Sequence, residues 1–398
     1  MIAILSSLLF LLVLPLCLPA WSLLLLTLAG GVARPKPAPA GRRPTLAVLV
    51  PAHNESGHLR PTLDNLRGQI AAGDRLLVVA DNCSDDTAAQ AREGGAEVVE
   101  RFDSARRGKG YALAFGIRHL AASGQPEVVA VVDADCIVSP GALEHIARLA
   151  AHHGRPVQML DLMVSGPAAS LRARILEFAW RMKNWVRPQG SARLGDACHL
   201  MGTGMALPWP LLGQAQLDHG HLAEDMALGL DLALAGRAPL FCTEVRLTSQ
   251  FVADAGVART QKARWEHGHL AAMGQHLPRL LRGAWQRRDA ALAALALDLV
   301  IPPVALYTAV VAALTVTLGL AALLLPELLL PALGLVLASG AAFVLAIGLA
   351  WWRCARDLIS ARELLALPLY ALWKLPIYVA YAIGRRSAWV RTRRGGAD

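Results

Sequence analysis

The sequence predicts an α/β globular domain, a mostly parallel sheet with helices on both faces, held between strongly apolar segments. Three observations carry that expectation. From about residue 45 to 288, short aliphatic runs alternate with helical patterns, and each run ends in polar residues. Stretches long enough to cross a bilayer flank this middle part on both sides. The composition is 55% hydrophobic and only 17% charged, where a soluble domain carries about 25% charged residues.

These proportions exclude a purely soluble enzyme, a disordered chain and a disulfide scaffold. The 398 residues leave room for one good-sized globular domain plus a membrane portion. Lys and Arg number 39 against 30 Asp and Glu, a balance of +9 that suits nucleic acid, anionic lipid or an anionic substrate. Cys17, Cys83, Cys136, Cys198, Cys242 and Cys354 are scattered without a Cys-x-x-Cys pair. Such spacing fits reduced thiols of a cytoplasm-facing protein.

Taken in order, residues 1–32 carry no charge and form an expected N-terminal transmembrane helix. A cleaved signal peptide would begin with basic residues. Here Arg34, Lys36, Arg42 and Arg43 follow the apolar run instead. The positive-inside rule then puts the amino terminus outside and the domain in the cytoplasm. Residues 33–44, rich in Pro and Ala, are a linker. The globular domain spans 45–266, with strands expected at Leu46–Val50, Leu76–Ala80 and Val128–Val132 and helices at Ser56–Ile70, Asp86–Glu93 and Tyr111–Ala122. Residues 267–289 interleave apolar residues and arginines, as an interfacial helix does. Transmembrane helices are expected at 290–325, whose one charge is Asp298, and at 328–352, with Pro326-Glu327 as the turn between them. Residues 361–384 contain Lys374, prolines and aromatics and precede the basic tail 385–398. A crossing there would put the cationic tail outside, so an interfacial or re-entrant helix and a cytoplasmic tail are expected.

In open α/β sheets, ligands bind beyond the carboxyl ends of the strands. The first strand runs into Pro51-Ala52-His53-Asn54-Glu55 and the second into Asp81-Asn82-Cys83-Ser84-Asp85-Asp86. The third gives Asp133-Ala134-Asp135, whose two carboxylates would share one face of a strand. Paired carboxylates at a strand end suit a hard divalent cation that bridges to phosphates, although such a pair alone is as readily an exposed loop. Arg106-Arg107-Gly108-Lys109-Gly110 puts cations on a flexible turn before a helix, a setting for phosphate oxygens. Farther on, Gly202-Thr203-Gly204 precedes Glu224-Asp225, which opens a helical run Met226–Leu234, and Gln261-Lys262-Ala263-Arg264-Trp265 follows. Acids at a helix start ordinarily serve the helix dipole.

In this order the segments resemble the inverting family 2 glycosyltransferases over about residues 45–285. They look most like the membrane-embedded subgroup that includes cellulose, hyaluronan and poly-N-acetylglucosamine synthases. That resemblance implies a GT-A domain of Rossmann-like α/β type and a set of roles. Asp81 would bind the uracil of a UDP-sugar, with Pro51, His53 and Glu55 lining base and ribose and Lys109 near the donor. His53 stands where such enzymes often have an aromatic residue. Asp133 would contact ribose or sugar and, with Asp135, hold Mg²⁺ or Mn²⁺ at the diphosphate. Asp225 would be the general base, with Glu224 beside it. Gln261 and Arg264 would hold the diphosphate, and Trp265 would stack under the acceptor sugar beside Gly202, Thr203 and Gly204. Ala223 departs from the threonine common before the Glu-Asp pair.

The residue types suit the implied chemistry. Displacement at an anomeric carbon needs a carboxylate to take the acceptor's proton. The leaving diphosphate builds charge that a metal and Arg264 can stabilise. The implied product is an exopolysaccharide or capsule-type glycan, extended at the cytoplasmic face of a bacterial-type inner membrane. Three spans make a narrow pore, so a polymer would call for accessory membrane subunits. The alternative is a single sugar added to a lipid, as in ceramide-type glucosyltransferases. Glucose and N-acetylglucosamine are the leading donors. A transporter would need more spans and polar residues at mid-membrane. A nucleic-acid binder would need stacking aromatics beside its cations, and the basic residues cluster instead beside the membrane segments, where anionic lipid accounts for them.

Overall fold

The computed structural model describes residues 1–31, 35–213, 224–251 and 255–382. The basic tail at 385–398 and the start of the linker lie outside the described residues. Along the chain come α1 (Ile2–Ala29), β1 (Leu46–Ala52), α2 (Leu59–Arg67), β2 (Arg75–Asp81), α3 (Thr87–Glu93), β3 (Glu97–Arg101), α4 (Lys109–Ser123) and β4 (Val128–Val131). Then follow β5 (Ile137–Val138), α5 (Ala142–His153), β6 (Val157–Val164), α6 (Leu171–Arg181), a π turn (Met182–Val186), α7 (Arg187–Gly195), β7 (Met205–Pro208) and α8 (Trp209–Leu212). The last third holds α9 (Glu224–Leu234), β8 (Leu240–Gln250), α10 (Ala255–Arg287), α11 (Ala290–Leu299), α12 (Val304–Ala322), α13 (Pro326–Cys354) and α14 (Leu367–Ala382).

The eight strands form one sheet in the order β3-β2-β1-β4-β7-β6-β8-β5. β3, β2, β1 and β4 are parallel, as the alternating pattern predicts. The sheet is mixed beyond them, because β7 runs antiparallel to both β4 and β6. Strand alternation divides the core. Leu46, Val48 and Val50 face α2 and α5, while Ala47, Leu49, Leu77 and Val79 face α4 and α9. On α2, Leu59, Leu63 and Leu66 fall on one stripe and are fully buried. Burial on both faces accounts for the near-continuous aliphatic runs of β1 and β2.

Three expectations about element limits change. The strand expected at Val128–Val132 ends at Val131, so Asp133 and Asp135 lie in the turn after β4. Their common orientation comes from that turn, where the Cys136 amide donates to the Asp133 carbonyl (3.2 Å), and buried Ala134 points into the core. The apolar stretch 290–325 is two helices rather than one. Pro302-Pro303 separates α11 from α12, since proline lacks the amide proton and bars its predecessor from helical geometry. In addition, α10 runs unbroken through residue 266, so Gln261, Arg264 and Trp265 share one helix with the stretch read as interfacial.

Four helices among the described residues are long and apolar enough to cross a membrane: Ile2–Ala29, Val304–Ala322, Pro326–Cys354 and Glu363–Ala380. α1 packs along α13, and Arg353 donates to the Thr27 carbonyl near their ends. Three arginine contacts bind the sheet domain to the end of α13. Arg181 donates to the Cys354 carbonyl (2.5 Å) and pairs with Asp357 (3.1 Å), and Arg174 pairs with Glu363 (2.5 Å).

α7 sits so close to its neighbours that only glycine fits at two positions. A Cβ on Gly190 would stand 2.1 Å from the Leu26 carbonyl oxygen of α1, and one on Gly195 would stand 2.2 Å from that of Ala290. Both obstacles are backbone, so a side chain must move a whole helix. We expect Gly190→Ala to destabilise the protein by about 1–3 kcal/mol, the cost of an overpacked contact, lowering the midpoint of thermal unfolding in detergent. Gly348→Ala, with nothing within 4 Å of the added carbon, should leave it unchanged or higher.

Candidate active site

Below the carboxyl edge of β4, the turn after it, the first turn of α4, the loop before β7, the start of α9 and the first half of α10 enclose a cleft of about 250 Å³. Lys109, Asp133, Asp135, Gly202, Thr203, Glu224, Asp225, Gln261, Arg264 and Trp265 all line it. Residues spread over more than 150 positions of sequence therefore meet in one place.

At its centre stands Lys109, the first residue of α4, after Gly108 at φ 137°. Its ammonium pairs with Asp133 and donates to the Gly202 carbonyl (2.9 Å). Burial works against the Lys109 charge, but Asp133, with Glu224 and Asp225 beyond it, outweighs that cost and raises the pKa. The Asp133 amide donates to Thr203 Oγ1 (3.0 Å), fixing the glycine-rich loop against the acidic turn. Gly202 adopts φ 88°, and a Cβ there would lie 2.9 Å from Asp225 Oδ2. Glycine thus gives the Asp225 carboxylate its place over the backbone. Burial and the Asp225 charge push the Glu224 carboxyl up.

Pro51, His53, Glu55 and Asp81 stand at the ends of β1 and β2 and do not line this cleft. His53 Nδ1 lies 2.6 Å from the Asp81 carbonyl oxygen, and the Glu55 amide donates to Thr87 Oγ1 (2.9 Å). Asp81 is buried and carries an Arg101 ion pair at 2.6 Å. Arg101 also donates to the Arg106 carbonyl (2.8 Å), which joins this corner to the Arg107–Gly110 wall of the cleft.

The floor is built from residues the motifs do not include. Asp161, in the middle of β6, is buried and accepts from Asn184 Nδ2 at 2.9 Å, while its Oδ1 has no hydrogen-bond partner. Burial and the Asp133 charge push its pKa up to about 7. Lys183 and Asn184 come from the π turn, an irregularity that recurs at functional sites. Burial lowers the Lys183 pKa. Arg187 pairs with Asp298 at 2.5 Å, and His199 Nε2 lies 3.2 Å from the same carboxylate. Burial and the Arg187 and Lys183 cations push His269 down to about 3, so it is neutral. Two sequence signals mark this floor: an acid inside the aliphatic run of β6, and Lys183-Asn184 on a helix that otherwise buries Phe178 and Met182.

Asp133, Asp135 and Asp161 offer an all-oxygen donor set of the kind hard divalent cations take. The orphaned Asp161 Oδ1 fits that reading. His145, Cys242 and Glu244 also lie together, but His145 Nε2 bonds the Lys36 carbonyl (2.8 Å) and Glu244 takes the Lys36 amide (2.6 Å), so this group anchors the linker.

The curled mixed sheet with its flanking helices is a fold of GT-A type. Residues 44–268 match the model of the glycosyltransferase like family 2, and the chain belongs to that family. It is a glycosyltransferase. Among solved structures it is similar in fold to the mannosyltransferase PcManGT from Pyrobaculum calidifontis, solved with GDP-Man and Mn²⁺. That match has 19% identity and a TM-score of 0.54, covering 86% of this chain and 99% of that one. Glucosyl-3-phosphoglycerate synthase from Mycobacterium tuberculosis, with Mn²⁺, UDP and glucosyl-3-phosphoglycerate, matches at 23% identity and a TM-score of 0.36, covering 56% and 78%. S. aureus TarS with UDP-GlcNAc matches at 15% identity and a TM-score of 0.39, covering 52% and 58%. No curated protein matches the sequence.

The Gly202 contact yields a prediction. Gly202→Ala should displace the Asp225 carboxylate, and a misplacement of about 1 Å costs about 10²-fold in rate. Turnover should fall by that order while the variant still folds, as measured by sugar transfer and thermal unfolding side by side.

Proposed function

We propose that the protein transfers a hexose or N-acetylhexosamine from a UDP-sugar, with inversion, to an acceptor hydroxyl at the membrane face. The carrying observation is the single cleft in which Lys109, Asp133, Asp135, Asp225, Gln261, Arg264 and Trp265 converge. In this reading Asp225 takes the acceptor's proton as its oxygen attacks the anomeric carbon, with Glu224 as its neighbour. Lys109 and Arg264 face the charge that grows on the departing diphosphate. Asp133, Asp135 and Asp161 would hold Mg²⁺ or Mn²⁺, which supplies electrostatic stabilisation of the diphosphate. Asp81, His53, Pro51 and Glu55, next to the cleft, would take the base and ribose. The positive-inside rule supports a cytoplasmic catalytic domain and an outward amino terminus.

The acceptor has two readings. The Gln-x-x-Arg-Trp segment favours a growing glycan, with accessory membrane subunits to complete its path. An apolar groove beside Trp265 favours a lipid.

Divalent-cation dependence follows from the acidic turn. Excess EDTA should abolish transfer and added Mn²⁺ or Mg²⁺ should restore it, whereas Asp135→Ala should stay inactive with metal present and fold normally. Full activity in EDTA would remove the metal from the mechanism.

The general base is tested by Asp225→Asn, which keeps shape and hydrogen bonding but not basicity. A helix-cap role would cost about 0.5–2 kcal/mol of stability and leave turnover nearly intact. A base contributes about 10²–10⁴-fold in rate, so transfer should all but vanish while UDP binding persists. A variant that keeps more than about a tenth of wild-type turnover, well above the residue expected for a lost base, passes the role to Glu224.

A further inference from the structure

A second cavity of about 150 Å³ opens on the far side of the cleft's end wall. Its sides are apolar, with Ile175, Phe178, Met182, Val304, Ile347 and Leu367 among them. They come from α6, the π turn and three of the four candidate membrane-crossing segments. Trp180, Lys183, Arg187, Trp265 and His269 line both cavities. Trp180 and Trp265 form the partition, their ring centroids 5.1 Å apart.

The charges that line the groove do not balance. Arg187 is neutralised by Asp298, and His269 is uncharged. Glu266, the one acid lining the groove, is held by Lys374. Lys183 and Lys262 remain. Among the described residues neither has a carboxylate within ion-pair distance; Asp225, Asp161 and Asp298 act on Lys183 and Glu266 on Lys262 from farther off, and each ammonium lies near an aromatic ring, Trp180 at 5.7 Å and Trp373 at 5.9 Å. An apolar groove with surplus cations at its polar end complements a molecule with a long apolar tail and an anionic group near its head.

We propose that this groove holds the tail of an anionic lipid acceptor, with its anionic group at Lys183 and a head hydroxyl reaching through the shared wall to Asp225. The assignment rests on the transferase reading above and chooses between its two acceptors. The acceptor oxygen bonds to the anomeric carbon and the bond from that carbon to the diphosphate oxygen breaks. Its electron pair leaves with UDP, and the hydroxyl proton passes to Asp225. The product is a glycosylated lipid that stays in the membrane. No pore is then needed, and α12, α13 and α14 serve as walls of a groove.

The test uses the full-length protein in nanodiscs of zwitterionic lipid, titrated with dodecyl phosphate, dodecyl maltoside and inorganic phosphate. Wild type should bind dodecyl phosphate at least about tenfold more tightly than either other probe, a difference of about 1.4 kcal/mol. Ala179→Trp and Thr308→Trp, each filling the groove from a half-buried wall position, should each weaken that binding by about tenfold or more and leave UDP–Mn²⁺ binding unchanged. Lys183→Met should erase the preference for the phosphate over the maltoside. In membranes, label from the UDP-sugar should enter an organic-extractable product. Equal affinity for the neutral probe, indifference to both groove variants, or a water-soluble labelled polymer would each overturn the assignment. Wild-type protein that binds no UDP would sink the transferase reading instead, and the amphiphile titration would still decide the groove.

Discussion

The ion pair between Arg187 and Asp298 is the contact on which the arrangement of the two halves depends. Both residues are nearly inaccessible, Arg187 at 5% and Asp298 at 2% of full exposure. Burying either charge alone costs several kcal/mol, and only a well-made pair offsets that. The pair is well made. Arg187 Nε meets the Asp298 carboxylate at 2.5 Å and Nη2 donates to the Asp298 carbonyl at 2.7 Å. Because Arg187 begins α7 and Asp298 lies near the end of α11, the pair fixes α7 of the sheet domain against α11 at a single register. Gly190 and Gly195, one and two turns farther along α7, let α1 and α11 approach to backbone contact. The charged pair sets the register, and the glycines set the distance.

The same helix shapes the cleft. The π turn that leads into α7 inserts a residue into the helix and so turns Lys183 and Asn184 towards Asp161. Asp161 in turn stands below the acidic turn after β4. A chain of neighbours thus runs from the apolar helices, through α7 and the π turn, to the carboxylates at the sheet's edge. The position of Asp225 over Gly202 belongs to this chain, since the glycine-rich loop is tied to Asp133 through Thr203 and to α4 through Lys109.

Much of this was legible in the sequence because it follows from local rules. Aliphatic runs marked β1, β2 and β4, whereas Lys109 read as part of a turn before a helix starting at Tyr111 and is instead the first residue of α4. The acids after β4 were legible as a pair but not as a turn, because Val132 continues the aliphatic run while its amide bonds back to the Leu49 carbonyl (3.1 Å). Pairing between distant residues left no local sign. Asp81 could be read as a base contact, yet its buried partner Arg101 lies twenty positions away on β3. The mixed half of the sheet was equally hidden, since β7 is a four-residue strand between a loop and α8 and its direction depends on where β4 and β6 place it. Asp298 read as a lone charge in an apolar span; Arg187, more than a hundred positions earlier, satisfies it.

The division of the cleft into a polar chamber and an apolar groove follows from the same constraint. An arginine held at the floor by Asp298 cannot turn towards either cavity, so Arg187 closes the wall between them without adding free charge. Trp180 and Trp265 complete that wall and line both cavities. Lys183 has no such direct ion pair among the described residues and lines both cavities. A wall of this composition admits a polar head only where a charge is matched and an apolar chain only on the far side. A bulky hydrated chain meets apolar surface on leaving the polar chamber in this direction, which is the physical ground for the lipid acceptor proposed above.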